Sequence, residues 1–228
     1  MKIVMISDTH SMHDALKMMP PGDVLIHSGD FTGRGDPERV KEFNEWLRDV
    51  SSLYKHTIVI PGNHELTFQR GVKDSNGFQT QSPESIQLLI TNATLLIDQE
   101  IIIDGVKFYG SPWQPFFHNW AYNIHRGHLK ATWEKIPNDT DVLITHGPPH
   151  GILDLVPSRD AYRGSDVRVG CEQLRDRILE VRPKLHVFGH IHEGYGSIHS
   201  DGTTYVNASI CDGSYRPINK PIVFDLEK

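Results

Sequence analysis

The sequence has few of the features that mark secreted, membrane or nucleic-acid-binding proteins. It contains only two cysteines, whereas a secreted disulfide scaffold carries more of them at closer spacing. It has no apolar run of the roughly 18 residues that a membrane helix needs. The net charge is -6 and no dense block of Lys and Arg occurs. Duplex nucleic acid is therefore disfavoured as the main partner, because that binding rests on phosphate neutralisation.

The N-terminal residues, MKIVMISDTH, also lack the long apolar segment and the small-residue cleavage site of a signal peptide. We therefore expect a cytoplasmic protein that does not associate with a membrane. The 228 residues, of which 38% are apolar, allow a single domain over residues 1–228 with a substantial core. No internal repeat, linker or coiled-coil seam is present, and the oligomeric state stays open.

Short runs rich in Val and Ile, bounded by turn residues, predict a series of β-strands. These runs are 2–6, 24–27, 57–60, 94–97, 100–103, 106–109, 141–145, 185–188, 203–206 and 221–224. Amphipathic patterns predict helices over 37–50, 169–181 and, more weakly, 129–136. Asp104-Gly105 predicts a hairpin turn. Alternating strands and helices are typical of α/β layering, and the hairpin indicates a mixed sheet or two sheets.

Side chains that bind metals follow directly after five of the predicted strands. They are Asp8 and His10 after the first, Asp30 after the second, Asn63 and His64 after 57–60, His146 after 141–145, and His190 and His192 after 185–188. In open α/β sheets the carboxyl ends of the strands form the edge where ligands bind. Five loops are therefore predicted to converge on one crevice. Carboxylate, amide oxygen and imidazole are suitable ligands for Zn, Mn or Fe.

Each of these patterns, taken alone, also has a purely structural explanation. Asp8 and His10 fit a turn or a helix cap, and a lone His146 fits a partly buried imidazole with a satisfied hydrogen bond. The occurrence of all five patterns in this order, each after a strand, favours a pair of divalent metal ions over those explanations.

The same series of motifs resembles the calcineurin-like metallophosphoesterases, over residues 8 to 192. Within it, the runs GNHELTF (62–68), GSPWQP (110–115), THGPP (145–149) and RPKLHVFGHIHEGYG (182–196) resemble the MPPED-type metallophosphoesterase-domain proteins. The resemblance implies a two-sheet β-sandwich flanked by helices, with the metals at one edge.

The resemblance also implies a role for each ligand. Asp8, His10 and His192 would hold the first metal, Asn63, His146 and His190 the second, and Asp30 would bridge both. His64 would face the phosphoryl group as a general acid, although it could instead only orient Asn63. Manganese is the first choice of ion, with iron, zinc or cobalt as alternatives. Some MPPED-type relatives have Gly where this chain has His190, so the full ligand set here favours an active enzyme.

The resemblance implies a phosphodiesterase that acts on small phosphodiesters, including 2′,3′- or 3′,5′-cyclic nucleotides, by in-line attack of a hydroxide held between the two metals. Asn63 and His64 would contact the phosphate. In the aromatic segment SPWQPFFHNW (111–120), Trp113 either stacks on a base or packs over the sheet. The polar segment 159–165 either borders the pocket or only connects two elements.

Three alternatives remain at this point. The run GDFTGRG (29–35) resembles the GDYVDRG motif of protein Ser/Thr phosphatases, with Arg34 in the phosphate-binding position, although Gly33 replaces an Asp of that motif. Arg34 either contacts phosphate or is a solvated loop residue. This alternative of a phosphatase also includes a phosphomonoesterase that acts on small molecules. A non-catalytic scaffold would require a missing ligand, and a nuclease would require a basic patch that the sequence lacks.

Overall fold

A computed structural model of the protein describes residues 1–157 and 166–227, so the segment 159–165 lies outside the described residues. In chain order the strands are β1 (Lys2–Ile6), β2 (Val24–His27), β3 (His56–Val59), β4 (Val72–Lys73), β5 (Gln79–Gln81), β6 (Thr94–Leu95), β7 (Gln99–Ile103), β8 (Val106–Ser111), β9 (Gln114–Pro115), β10 (Asn123–Ile124), β11 (Val142–Thr145), β12 (Leu155–Val156), β13 (Val167–Arg168), β14 (Leu185–Phe188), β15 (Gly196–Ser200), β16 (Thr203–Asn207) and β17 (Ile222–Asp225). The α-helices are α1 (Pro37–Val50), α2 (Leu66–Arg70), α3 (Pro83–Gln87), α4 (Lys130–Trp133) and α5 (Glu172–Val181).

Two sheets, each with a parallel centre, form the body of the protein. The first has the strand order β17-β1-β2-β3-β6, and the second has the order β15-β16-β14-β11-β8-β7. In the first sheet only the edge strand β17 is antiparallel. In the second sheet the antiparallel pairs are the two edge hairpins, β7 with β8 and β15 with β16. The carboxyl ends of the parallel strands within each sheet therefore share an edge.

The main hydrophobic core lies between the two sheets. Because side chains alternate along a strand, Ile3 and Met5 of β1 face this core while Val4 and Ile6 face the opposite side. The second sheet contributes Val142 and other apolar residues to the same cluster. The sheets thus pack face to face as a sandwich.

Helices cover the outer faces of both sheets. Helix α1 packs Phe43 and Leu47 against the first sheet. It begins with a side-chain cap, since the Asp36 side chain accepts a hydrogen bond from the Glu38 N–H and Pro37 follows the cap. Helix α5 packs Leu174 and Ile178 against the second sheet. The predicted two-sheet sandwich flanked by helices is confirmed.

Several predicted boundaries are wrong by a few residues. The third strand ends one residue earlier than predicted, and β6 stops at Leu95. Helix α5 starts at Glu172 instead of residue 169, because Val167–Arg168 forms an antiparallel strand pair with Leu155–Val156 and Cys171 takes the cap position. The predicted helix 129–136 shortens to Lys130–Trp133. In the described part of the chain, no helix is long and apolar enough to cross a membrane.

Candidate metal centre

The predicted ligands converge at the carboxyl ends of strands from both sheets. Three overlapping groups of side chains each bring one ligand atom per residue within 4.8 Å of the others. The groups are Asp8, His10 and His192; His10, Asp30 and His64; and Asp30, His146 and His190. His10 and Asp30 each belong to two of the groups, and Asp30 follows β2, the central strand of the first sheet.

The first group joins the ends of β1 and β14. The Asp8 carboxylate lies 3.4 Å from Nε2 of His192, and the Nε2 atoms of His10 and His192 are 3.2 Å apart. Nδ1 of His192 donates to the Asp212 carbonyl (2.9 Å), so Nε2 is the ring nitrogen that faces the site. Hydrogen bonds that orient the far ring nitrogen of a histidine are typical of metal ligands.

The Asp8 carboxylate is held by groups from outside its own loop. It accepts hydrogen bonds from the Ser209 hydroxyl (2.8 Å) and from the backbone N–H of His190 (3.0 Å). Asp8 is fully buried, and the end of β14 and the segment after β16 therefore fix its position.

The group of Asp30, His146 and His190 is built around His146, which is fully buried. Its Nδ1 donates to the Ser28 carbonyl (3.0 Å), and its Nε2 lies 2.8 Å from Oδ1 of Asn63 and 3.3 Å from Oδ2 of Asp30. The His190 ring centre is 5.0 Å from that of His146. One carboxylate, one amide oxygen and two imidazoles thus face a common point.

The electrostatics of the site favour a bound cation. Burial lowers the pKa of His146, but the charges of Asp30 and Asp8 and the hydrogen bond to Asp30 outweigh it and raise that pKa to about 9. The pKa of His192 is also raised to about 9, since the hydrogen bond and charge of Asp8 outweigh burial. Buried carboxylates here attract positive charge, and the donor set fits divalent transition metals.

Several of these residues adopt a backbone conformation that side chains disfavour. Positive φ angles occur at Asp8 (51°), His10 (44°), Asp30 (56°) and His190 (66°). Non-glycine residues with positive φ are uncommon, and backbone strain of this kind clusters at functional sites, where the surroundings enforce it.

Gly189 sits where no larger residue fits. A Cβ atom at this position would collide with the carboxylate of Asp8 and the side chain of Ser7. We expect Gly189→Ala to weaken metal binding, because Asp8 must move, and to lower the free energy of unfolding by about 1–3 kcal/mol, as overpacking does. Calorimetric metal titration and denaturant unfolding of the metal-free protein measure the two effects.

Gly127→Ala is the matched control, because a Cβ there meets nothing within 4 Å. It should change unfolding by less than about 0.5 kcal/mol and leave metal binding intact. Equal metal affinity in wild type and Gly189→Ala would contradict the expectation that a methyl group at residue 189 displaces the Asp8 carboxylate.

Glu65 is a residue of the site for which the sequence motifs indicated no role. Its buried carboxylate accepts hydrogen bonds from the N–H groups of Asp30 (2.9 Å), Thr32 (2.9 Å) and Gly62 (2.7 Å), and from the Thr32 hydroxyl (2.8 Å). It thereby ties the loop that carries Asp30 to the loop that carries Asn63. Burial, followed by the charge of Asp30, raises the pKa of Glu65 to about 7.

His64 lies beside the ligands and is positioned from two sides. Its Nδ1 donates to the Gly33 carbonyl (2.7 Å), and its ring stacks on Trp120 at 4.2 Å between centres. Its Nε2 lies 3.9 Å from Oδ2 of Asp30. The Arg34 guanidinium lies 5.3 Å from the centre of the Trp120 ring, so Arg34 joins the same stack.

Trp113 lies elsewhere. Its indole N–H donates to the Asp98 carboxylate (3.0 Å), and its ring packs against Tyr122 as part of the hydrophobic cores. The described contacts join Trp113 to none of the other predicted site residues. Of the two interpretations of Trp113, the structure favours packing.

Two other aromatic residues of the same segment border the site instead. Trp120 stacks on His64, and the exposed ring of Phe117 lies 6.1 Å from that of His190. The segment is anchored because the Ala121 N–H donates to the Asn63 carbonyl (3.0 Å). The aromatic run was the only sequence signal for these residues, and it could not indicate which rings face the site.

Comparison with known proteins agrees with this geometry. The sequence model of the calcineurin-like phosphoesterase family matches residues 1–194. The chain is 47% identical to metallophosphoesterase domain-containing protein 1 of Homo sapiens over 239 residues, covering 99% of this chain and 71% of that protein. The protein of the same name from Mus musculus gives the same values. The solved structure of TT1561 from Thermus thermophilus has a similar fold, with a TM-score of 0.54 at 14% identity, covering 90% of this chain and 88% of that one.

Proposed function

The chain belongs to the calcineurin-like phosphoesterase family, and on that premise we propose that it is a phosphodiesterase that uses two divalent metal ions to hydrolyse small phosphodiesters, cyclic nucleotides among them. The family supports a metal-dependent phosphoesterase. The diester preference, the number of ions and their identity as manganese are parts of the proposal, with iron, zinc and cobalt as alternatives. The cytoplasmic location expected from the sequence stays a prediction.

Each ion would have its own set of ligands in this proposal. Asp8, His10 and His192 would hold one ion, Asn63, His146 and His190 the other, and Asp30 would contact both. Two such ions would supply a bound water of lowered pKa and neutralise the phosphoryl oxygens. The observation that carries the proposal is that Asp30 is grouped with His10, assigned to one ion, and also with His146 and His190, assigned to the other.

His64 would act at the leaving group. Because its Nδ1 donates to the Gly33 carbonyl, its Nε2 is the nitrogen that faces the ligands. A proton on Nε2 could be passed to the oxygen of the departing alcohol as the ester bond breaks. The stack with Trp120 holds the ring in one plane, so the residue can perform this transfer without reorienting.

Arg34 would help to bind the substrate. Its side chain is exposed and extends over Trp120 next to His64, where a positive charge could attract the phosphate. Asn63 would contact the same phosphate through its amide. Exposed aromatic rings beside the site, such as Phe117, favour esters with an organic group on each side of the phosphate.

A phosphomonoesterase, acting on small molecules or on protein Ser/Thr, is the second candidate, because the loop with Arg34 resembles the corresponding loop of protein phosphatases. A scaffold is a weaker candidate, since the full set of ligand side chains is assembled.

Hydrolysis of bis-p-nitrophenyl phosphate beside p-nitrophenyl phosphate distinguishes these candidates. The metal-stripped protein should be inactive, and added Mn²⁺ should restore a turnover that favours the diester by at least about tenfold. The 2′,3′- and 3′,5′-cyclic nucleotides would then be compared. Turnover confined to the monoester would indicate a phosphatase, and no turnover with Mn²⁺, Fe²⁺, Zn²⁺ or Co²⁺ would indicate a scaffold.

A further inference from the structure

An aromatic residue from the C-terminal part of the chain also borders the metal centre. Tyr215 lies after residue 194, where the match to the family model ends. The centre of its ring is 4.9 Å from that of His10 and 5.1 Å from that of His192. Both histidines are predicted ligands of the first metal, so Tyr215 lies directly beside that half of the site.

A compact turn holds Tyr215 in this position. The backbone N–H of Tyr215 donates to the Asp212 carbonyl (2.8 Å), and the Asp212 side chain accepts from the N–H groups of Ser214 and Arg216 (both 2.9 Å). The Arg216 guanidinium also binds the Asp212 carboxylate. The Asp212 carbonyl in addition accepts the hydrogen bond from His192, so one residue fixes both the turn and the metal ligand.

The conformation of Tyr215 is unusual for a large aromatic residue. Its φ angle is +58°, in the left-handed region, which is an outlier for a bulky side chain. Its side chain is nevertheless 52% exposed. Apolar burial therefore does not account for the strained backbone, and such strain is a feature of functional sites.

We propose that Tyr215 is a substrate-binding residue that packs against a planar group, such as a nucleobase, on the part of the ester that stays on phosphorus when the leaving group departs. An exposed ring beside the metal ligands can stack on any base, because every base has a π-face. Phe117 borders the second half of the centre in the same way, next to His190. The substrate class is then a phosphodiester whose non-leaving substituent carries a flat ring such as a nucleobase. This inference rests on the proposed function.

Two esters with the same leaving group and charge test the role of Tyr215. Thymidine 5′-(p-nitrophenyl phosphate) carries a base and methyl p-nitrophenyl phosphate does not. For Tyr215→Ala, kcat/KM for the thymidine ester should fall about tenfold through KM, since stacking contributes that much. The kcat/KM for the methyl ester should change by less than about twofold, and Tyr215→Phe should keep the preference for the thymidine ester.

Phe78→Ala is the matched control, because it removes an aromatic ring that is 72% exposed on the β4–β5 hairpin.

Equilibrium binding gives a readout that does not depend on turnover. Calorimetry of the Mn²⁺-loaded protein should show thymidine 5′-monophosphate binding about tenfold more weakly to Tyr215→Ala, with methyl phosphate unaffected. If wild type hydrolyses neither ester, the proposed function fails, and these binding constants still test Tyr215. An unchanged ratio between the two ligands, or loss of metal from Tyr215→Ala, would overturn the inference, because Tyr215 would then only support the histidines.

Discussion

His64→Ala should lower turnover of diesters with alkoxide leaving groups by about 10²–10⁴-fold while both metal ions stay bound. General acid catalysis contributes a factor of this size when the leaving oxygen needs a proton. Metal content should survive, because His64 is not among the ligands assigned to either ion. Steady-state kinetics on 2′,3′-cyclic AMP and elemental analysis of the dialysed protein measure the two quantities.

Substrates with different leaving groups show whether His64 acts as a general acid or only positions other residues. p-Nitrophenolate departs without a proton, so the loss for bis-p-nitrophenyl phosphate should be at least about tenfold smaller than for the cyclic nucleotide. His56→Ala is the control, since His56 is exposed at the opposite end of β3 and should leave both rates unchanged. The grouping of His64 with His10 and Asp30 also permits a ligand role. Collapse of metal content in His64→Ala would support that role and refute ours.

Asp30→Asn should weaken the binding of both ions by at least about 100-fold each. Changes to groups that merely orient ligands already cost about 10–100-fold in metal affinity. Asp30 is grouped with residues assigned to both ions, with His10 for one and with His146 and His190 for the other. Calorimetric titration with Mn²⁺ measures both binding events.

Asp8→Asn is the matched comparison for Asp30→Asn. Asp8 lies in only one of the three ligand groups, so its substitution should weaken one ion much more than the other. If Asp30→Asn retained two ions at full occupancy, or if the two variants behaved alike, the bridging role of Asp30 would be wrong.

The sequence predicted the parts of the site that depend on local patterns. A buried run such as Val24–His27 followed by Gly29 and Asp30 indicates a strand that ends in a ligand loop. Because parallel strands end at the same edge of a sheet, such loops are expected to meet there, and this expectation requires no information about distant contacts. For the same reason the hairpin at Asp104-Gly105 and the start of α1 were predicted from a few residues each.

The parts that failed depend on contacts between distant segments. The edge strand Gly196–Ser200 was not predicted, because its residues are mostly exposed and carry no apolar run. Tyr215 reaches His10 only through a turn stabilised by Asp212, and its positive φ has no sequence signal in a tyrosine. Likewise, Trp113 and Trp120 belong to one aromatic run, and only their distant contacts separate their roles, since Trp113 donates a hydrogen bond to Asp98 whereas Trp120 stacks on His64.

The most direct test of the central proposal is a titration of the metal-stripped protein with Mn²⁺, in which bis-p-nitrophenyl phosphate turnover is followed at each addition. We expect turnover to rise until two equivalents per chain are bound and then to stay constant, because the proposed reaction requires both ions. Full turnover at one equivalent, or two bound ions without diester turnover, would contradict a two-metal phosphodiesterase.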